Sequence, residues 1–453
     1  MAHLARAGRA DYVQPMEVRI EDHPLRTMLS EELHARPFQP MTAPGRALLL
    51  AFKPVNEEDG GDFDAARLHL LRLLDLHDVP HPAPEARQYT AEVGGIRLKW
   101  EHHTEFVSYM LIAHGPTDAF FHGRLIDNLD IDWLNDAPGV IIAAAEVELI
   151  EAPSTDPSAA LHPDIVRQFD SESLAAALII DGNAVALCDF RLDQRGFTRF
   201  ALVVTGTCGP RRLGRAVQRL LEIEVYRAMS MLALPLARKD LSHLSKLERD
   251  LTDLMEQVSA AEEDRPSDKE LLDTLSGLSA QLEARAAASA YRMDASRAYS
   301  RIVDDRLTMM KEVSLRGRQT FREFMSRRYD PAMRTVEAAR ERQAALSERA
   351  ARMAELLRTR VSVHLEAQNQ EALESMNRRA ALQLRLQATV EGLSVVAISY
   401  YAVSLLAYLL APVGYMLVIT KPVLMSLLTV PVVLLVWWSV RRMRKRLETR
   451  VIP

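Results

Sequence analysis

The sequence has few of the residues and motifs that define common protein classes. Its 453 residues include two cysteines, Cys188 and Cys208, too few for a disulfide scaffold or a four-thiolate zinc site. GxGxxG, GxxxxGK[ST] and GxSxG patterns are missing at suitable strand ends, which argues against common nucleotide-binding and hydrolase mechanisms. Residues 1–13 lack the apolar core of a secretory signal. We therefore expect the N-terminal part to remain in the reducing cytosol, with both cysteines as ordinary thiols.

Charged residues are absent from two long stretches near the C-terminus. Residues 393–411 and 422–440 contain no Asp, Glu, Lys or Arg, and each stretch is 19 residues long. At about 1.5 Å per residue, each would form a helix of roughly 28 Å, close to the hydrocarbon thickness of a bilayer. The short link between them permits a tight hairpin. The sequence thus predicts two membrane spans, and the alternative is a helical hairpin buried in a soluble core.

The charges are divided unevenly along the chain. Residues 1–230 hold 34 acidic and 22 basic side chains, whereas residues 231–453 hold 27 acidic and 34 basic ones. The tail 441–450 has six Lys or Arg against one Glu, and such an excess beside a span favours the cytoplasmic side. We expect both termini in the cytoplasm. The tail acts either as a topology signal alone or also as a contact for anionic lipid head groups.

The first 210 residues show the patterns of mixed α and β structure. Residues 46–53 and 139–150 predict strands, and Gly94-Gly95 predicts a two-residue turn between two more strands. Consecutive strand patterns over 174–205 suggest an antiparallel meander. We expect α+β packing, with two similar halves as one possible arrangement.

From residue 211 onward the pattern becomes helical. Leu244, Leu247, Leu251, Leu254 and Val258 are separated by alternating gaps of three and four, the spacing of a coiled-coil or antiparallel hairpin seam. The predicted organisation is a cytoplasmic α+β domain (1–210), a long α-helical or coiled-coil stalk (211–392), a two-helix transmembrane hairpin (393–440) and a basic cytoplasmic tail (441–453).

Short motifs spread over most of the chain carry a family resemblance. They are His23-Pro24-Leu25-Arg26, residues 32–38 (ELHARPF), residues 100–106 (WEHHTEF), residues 221–227 (LEIEVYR), residues 357–361 (LRTRV), residues 383–387 (QLRLQ) and residues 389–394 (TVEGLS). Together they resemble a bacterial family of uncharacterised membrane-anchored proteins, domain of unknown function 3422. The resemblance implies a protein anchored in a bacterial inner membrane, with no established activity.

The order of elements is also similar, more loosely, to that of CorA-type magnesium channels. Those channels likewise combine a cytoplasmic α/β domain, long stalk helices, a terminal two-span hairpin and a basic tail. That family carries a Gly-Met-Asn loop after its first span, whereas residues 412–416 here read PVGYM. This departure puts magnesium selectivity in doubt.

Histidines are concentrated near the N-terminus, where 11 of the 13 lie within residues 1–162, although no metal-ligand spacing organises them. His103 and Glu105 share a strand face, and a helix end at His34 with Arg36 could approach them. These four residues form either an anion or metal pocket or a polar network that locks the N-terminal helix to the sheet. No metal is identified and no cofactor is predicted.

A cluster of arginines follows Gly209-Pro210 at a helix start. Arg211 and Arg212 are ligand-binding candidates, together with Arg215 and Arg219. They could bind phosphate or the acidic part of the N-terminal domain, and a solvated basic face is the alternative. Because aromatic residues are not interleaved with them, nucleic-acid binding is not predicted.

One stripe of the first apolar stretch combines small and polar residues. Tyr401, Ser404 and Tyr408 continue from Ala397 at gaps of four, three and four. Such a stripe usually packs against another helix, and a hydrated pore face is the alternative. Glu391 lies just outside the stretch and could form a charged ring in an oligomer.

These patterns favour a non-enzymatic protein held in the lipid bilayer. Its cytoplasmic domain would bind an unknown partner or small ligand, and its stalk would form a homo-oligomer. The alternative is a CorA-like oligomeric ion channel or transporter gated by the cytoplasmic domain. An enzyme hidden in the N-terminal domain is a third possibility.

Overall fold

The computed structural model describes residues 22–32, 38–55, 62–116, 120–121, 123–260, 266–416 and 420–448. These residues fall into two compact units. The first lies within residues 1–256 and 276–351, and the second within residues 257–275 and 352–453. The predicted domain boundaries at residues 210, 392 and 440 stay predictions.

A mixed sheet occupies the first unit. Among the described residues its strands are β1 (Gly45–Lys53), β2 (Gln88–Val93), β3 (Ile96–His102), β4 (Val107–His114), β5 (Val140–Glu151), β6 (Ala175–Ile179), β7 (Ala184–Leu192), β8 (Thr198–Val204) and β9 (Val313–Ser314). Their order across the sheet is β2-β3-β4-β1-β5-β8-β7-β6-β9. Neighbours are antiparallel except β5 and β8, which run parallel.

This topology confirms the α+β class and the meander of β6, β7 and β8. Read outward from the centre of the sheet, the two halves have matching strand orders, β1-β4-β3-β2 and β5-β8-β7-β6. They are nevertheless not copies of each other. β1 pairs with β4 in antiparallel fashion, whereas the corresponding β5 pairs with β8 in parallel. The β2–β3 turn is the one that the sequence predicts, because both Gly94 and Gly95 have positive φ, +57° and +79°, which glycine adopts at little cost.

Helices make up most of the remaining structure. They are α1 (Arg26–Glu32), α2 (Phe63–Asp75), α3 (Ile131–Asn135), α4 (Pro163–Val166), α5 (Pro210–Met231), α6 (Ala233–Ser259), α7 (Asp268–Met310), α8 (Phe321–Arg328), α9 (Asp330–Met416) and α10 (Lys421–Glu448). Short 3-10 turns cover Leu125–Asn128 and Pro157–Leu161. Pro235 lies in the first turn of α6, where its missing N–H costs nothing.

Both faces of the sheet are covered. Trp100 and Tyr109 pack with Leu70 of α2 on one face. Phe200 packs with Leu220 of α5 on the other. Successive side chains of a strand point to opposite faces, so a strand covered on both sides buries polar residues as well as apolar ones.

The predicted leucine stripe of α6 lies inside the helical packing. Leu244, Leu247, Leu251 and Leu254 are all buried. Nearer the start of the helix, Ala237, Met293 and Ala339 form a small core that joins α6, α7 and α9. The spacing of three and four therefore reflects contact with neighbouring helices.

Two helices of the chain are long and apolar enough to cross a membrane. They are the segment Asp330–Ala411 of α9 and the segment Pro422–Arg442 of α10. Only 17% and 6% of their most apolar windows are buried, so they are not the buried core of this chain's own fold. Residues 412–416, predicted to begin the link between the spans, continue α9 instead.

Candidate functional site

A pocket of about 160 Å³ lies among β3, β4, α5 and α7 of the first unit. Its polar lining residues are Glu101, His103, Ser108, Gln218, Glu222 and Arg306, and its aromatic ones are Phe38, Phe106 and Tyr226. We refer to it as the polar pocket. It brings acidic and basic groups from separate parts of the chain into one small space.

The strand pattern places these groups. Lys99 and Glu101 alternate with Leu98 and Trp100 along β3, so the two charged residues face α5 while their neighbours face α2. Ser108 of β4 is the register partner of Glu101 and therefore shares that face. Ordinary strand alternation thus gives the sheet wall of the pocket.

Behind this wall is a buried ion pair. The Nζ atom of Lys99 lies 3.1 Å from Oε2 of Glu101. It also donates to Oε1 of Gln218 on α5 at 3.5 Å. Lys99 is only 2% exposed, and a buried ammonium is tolerated where a carboxylate and a hydrogen-bond acceptor replace water.

The polar contacts continue from α5 to α7. Gln218 donates from Nε2 to Oε1 of Glu222 at 2.7 Å. Arg306 of α7 forms an ion pair with the other oxygen of Glu222. A series of polar contacts therefore connects the sheet to α5 and α7. Both positively and negatively charged side chains line the pocket.

His103 is at the edge of the pocket. Its ring stacks on Phe106 with centroids 4.1 Å apart, and Nε2 lies 3.3 Å from Oγ of Ser108. A serine and a histidine at this distance could exchange a proton. Ser108 is nevertheless buried within β4, and the nearby charged groups are engaged in ion pairs.

Glu105 was predicted to act together with His103 but has a different environment. Its carboxylate lies 2.7 Å from Nη2 of Arg292 on α7, and the Arg292 side chain is 1% exposed. Burial, together with the neighbouring Glu105 carboxylate, raises the pKa of Tyr299, another α7 residue. These contacts connect α7 to the β3–β4 turn. Whether the four residues act as one site stays a prediction, because His34 and Arg36 lie outside the described residues.

Three of the four arginines at the start of α5 line a second cavity, of about 230 Å³. Its charged lining residues are Asp181, Arg212, Arg215, Arg219 and Lys311, and we refer to it as the basic cavity. Arg212 forms an ion pair with Asp181. Arg211, the other predicted candidate, is exposed and does not line the cavity.

The predicted stripe of the first apolar stretch faces outward in the single chain. Tyr401 and Tyr408 are 72% and 68% exposed, whereas Ser404 is half-buried. Glu391 is also half-buried and accepts a hydrogen bond from Gln387 at 3.4 Å. A pore face and a packing face both stay predictions for this stripe.

A different stripe of α9 is buried. Ser399, Val403 and Ala407, spaced by four residues, are all less than 9% exposed. Small residues at this spacing allow helices to approach closely. Val432 of α10 is buried as well, at 8% exposure.

A further cluster of buried charges was not predicted from the sequence. Glu146 of β5 lies 3.2 Å from Nε of Arg124, which also pairs with Asp193. Burial raises the pKa of Glu146 to about 7, since Arg124 offsets only part of the lost solvation. The available signal was a glutamate inside an apolar strand that is covered on both faces.

The described residues bring no three His, Cys, Asp or Glu side chains together in a way that could hold a metal ion. The histidines of this part of the chain take part in aromatic and hydrogen-bond contacts instead. His69, for example, bonds to the Tyr109 hydroxyl at 2.7 Å, and His102 packs against Phe63.

These features define an α+β protein that combines a mixed sheet, long helices and two apolar helices near its C-terminus. The model of the family described as a protein of unknown function, domain of unknown function 3422, matches residues 21–447. The chain belongs to that family, which confirms the resemblance carried by its motifs. Neither the curated proteins nor the solved structures gave a match, so the looser similarity to CorA-type channels gains no support.

Proposed function

We propose that this chain is a membrane-anchored, non-enzymatic protein that binds a small ligand in the polar pocket and self-associates through α9. The observation that carries the proposal is the polar pocket. Its acidic and basic groups come from the sheet, α5 and α7, and they are held in place by one another. Such preorganised charges favour a ligand that can replace one of the existing contacts.

The pocket suits a small zwitterion. Glu101 and Glu222 can receive an ammonium group, while Arg306 can bind a carboxylate. Phe106 and Tyr226 supply an apolar wall beside them. A volume of about 160 Å³ restricts the ligand to roughly the size of an amino acid.

The C-terminal helices support the membrane anchor. Their apolar side chains are exposed in the single chain. A lipid bilayer would shield this apolar surface from water. At the end of α10, the guanidinium groups of Arg441 and Arg442 lie 4.9 and 4.8 Å from the ring centroids of Trp437 and Trp438. Aromatic and basic residues together mark a cytoplasmic interface, which favours a hairpin in a bacterial inner membrane with both termini inside.

Residues 361–390 of α9 support self-association as a coiled coil. Leu365, Met376, Leu386 and Val390 are between 54% and 68% exposed. Isolated helices are marginal in water, and most helices gain stability by packing an apolar face. A second copy of the chain would supply such a face, which agrees with a homo-oligomeric stalk.

Thermal unfolding of the full chain in a neutral detergent tests the binding part of the proposal. Each free amino acid would be added at millimolar concentration. We expect at least one to raise the unfolding temperature by about 5 °C, as mass action predicts for a ligand well above its Kd. Glu222→Gln should remove the response because it deletes one carboxylate of the pocket.

Asp127→Asn serves as the matched control. It neutralises an exposed carboxylate that pairs with Arg195 and does not line the pocket, so its response should equal that of the wild type. If no amino acid stabilises the wild-type chain, or if Glu222→Gln responds as fully as the control, the binding proposal is wrong.

A further inference from the structure

We propose that the basic cavity is a binding site for a phosphoryl group. The cavity lies where the first turns of α5 meet the end of α7 and the turn between β6 and β7. This inference is independent of the zwitterion proposed for the polar pocket, because the two ligands differ in charge and each cavity has its own test.

The basic cavity has an excess of positive charge. Four cationic side chains and one carboxylate line the cavity. Arg212 already pairs with Asp181. Within the described part of the chain, no carboxylate lies within ion-pair distance of Arg215, Arg219 or Lys311. The only fixed acceptor for Arg219 that the structure shows is the backbone oxygen of Met309, at 3.1 Å.

The cations of the cavity also lie close to one another. Burial lowers the pKa of Arg219, and the neighbouring charges of Arg215 and Arg306 lower it further, while the Glu222 carboxylate offsets part of this effect. Like charges held together in a partly buried space destabilise the folded chain unless an anion offsets them. A bound dianion would convert this repulsion into attraction.

The shape of the cavity also suits a phosphoryl group. Guanidinium groups form paired, planar hydrogen bonds that match the oxygens of phosphate. The volume of about 230 Å³ exceeds what a phosphoryl group alone requires. Ile179, Ala216 and Met310 supply an apolar wall for an adjoining organic part. The phosphoryl group could belong to a soluble phosphorylated molecule or to a lipid head group, since both present the same oxygens.

Isothermal titration of the full chain with inorganic phosphate and pyrophosphate tests the site. Sodium chloride at equal ionic strength is the reference, and a neutral detergent keeps the chain in solution. We expect saturable binding of phosphate or pyrophosphate by the wild type. Arg215→Gln should weaken binding about tenfold, the usual effect of losing one charge-assisted hydrogen bond. Arg211→Gln removes the same charge from an exposed neighbour and should change the affinity less than about twofold.

The stability of the unliganded variants separates a binding role from a structural one. Arg215→Gln should unfold at the same or a higher temperature than the wild type because it relieves repulsion. Lys311 lines the same cavity and directly follows the end of α7. A second variant, Lys311→Gln, should therefore weaken binding by a similar factor. The proposal is overturned if the wild type shows no response beyond chloride, or if Arg211→Gln loses as much affinity as Arg215→Gln.

The source of the phosphoryl group is distinguished by repeating the titration in nanodiscs. Discs of phosphatidylcholine alone would be compared with discs that also contain phosphatidylglycerol. Loss of pyrophosphate binding in the second kind of disc assigns the site to a lipid head group. Unchanged binding in both assigns it to a soluble phosphorylated molecule.

Discussion

The two units of the molecule differ in how far they bury their apolar and charged side chains. The first unit buries its apolar residues on both faces of the sheet and also encloses ionic groups, including Lys99, Arg292 and Glu146. The second unit leaves most of its apolar side chains exposed along α9 and α10, with Leu393 and Tyr401 above 70%. One unit completes its own core, and the other needs something outside the single chain to cover it.

This contrast assigns different tasks to the two units. Buried charges must be held by partners, so they mark places where side-chain geometry is fixed and where a ligand can meet preorganised groups. Exposed apolar stripes mark places where lipid or a second copy belongs. The proposed ligand recognition therefore rests on the first unit, and the proposed anchoring and association rest on the second.

The largest effect should come from breaking the buried pair of Arg292 and Glu105. Arg292→Met leaves the Glu105 carboxylate buried without its cation, and we expect a loss of about 3–5 kcal/mol in the free energy of unfolding. Urea unfolding followed by circular dichroism measures this loss. Adding Glu105→Leu should recover much of the stability, because both charges are then removed together.

Arg297→Met is the matched control for this prediction. Arg297 is an exposed residue of α7, so its replacement should change stability by less than about 0.5 kcal/mol. An Arg292→Met chain as stable as the control would show that the pair does not hold α7 to the sheet.

The next effect concerns the pH dependence of the first unit. The folded state raises the pKa of Glu146 to about 7, from an ordinary value near 4.5. Between these two pH values the folded chain holds a proton that the unfolded chain has released, so stability falls as pH rises from about 4.5 to 7. The contribution is on the order of 3 kcal/mol, present in full below the lower value and lost above the higher one.

Glu146→Gln should remove this part of the pH dependence and stabilise the chain at pH 8. Unfolding free energies at pH 5 and pH 8 measure the change. Asp127→Asn, which alters an exposed carboxylate paired with Arg195, should leave the fall between these pH values in place. An unchanged slope in Glu146→Gln would mean that Glu146 is ionised in the folded chain at pH 5.

The smallest expected effect tests the second unit. Met376→Lys places a charge on the exposed apolar side of α9 and should raise the concentration needed for self-association about tenfold, as expected from losing the burial of one methionine. Light scattering after size-exclusion chromatography in detergent measures it. Ser375→Lys adds the same charge one residue away and should have a weaker effect. Equal behaviour of both variants and the wild type would exclude this stripe as an association surface.

Local features of the fold could be predicted from the sequence, and long-range ones could not. The Gly94-Gly95 turn and the leucine spacing of α6 depend on neighbouring residues, so the pattern reveals them. The parallel pairing of β5 with β8 and the two-residue strand β9 depend on partners far along the chain. Periodicity carries no information about such pairings.

The candidate site shows the same division. His103 and Glu105 were expected to share a strand face, but both lie in the turn between β3 and β4, so that expectation was wrong. His103 lines the pocket from this turn. Glu105 lies in the turn before β4, and its partner Arg292 lies in the middle of α7. Because the two residues are far apart in the sequence, no short motif could reveal their contact. Lys99 has the pattern of a solvent-facing strand residue and is buried only because α5 covers that face.

The most direct test of the central claim is membrane fractionation of the full chain beside a chain that ends at residue 392. Both would be washed at alkaline pH, which releases proteins that lie only on the membrane surface. We expect the full chain to stay in the membrane pellet and the shortened chain to be recovered in the supernatant. Release of the full chain, or retention of the shortened one, would contradict an anchor formed by the two apolar helices.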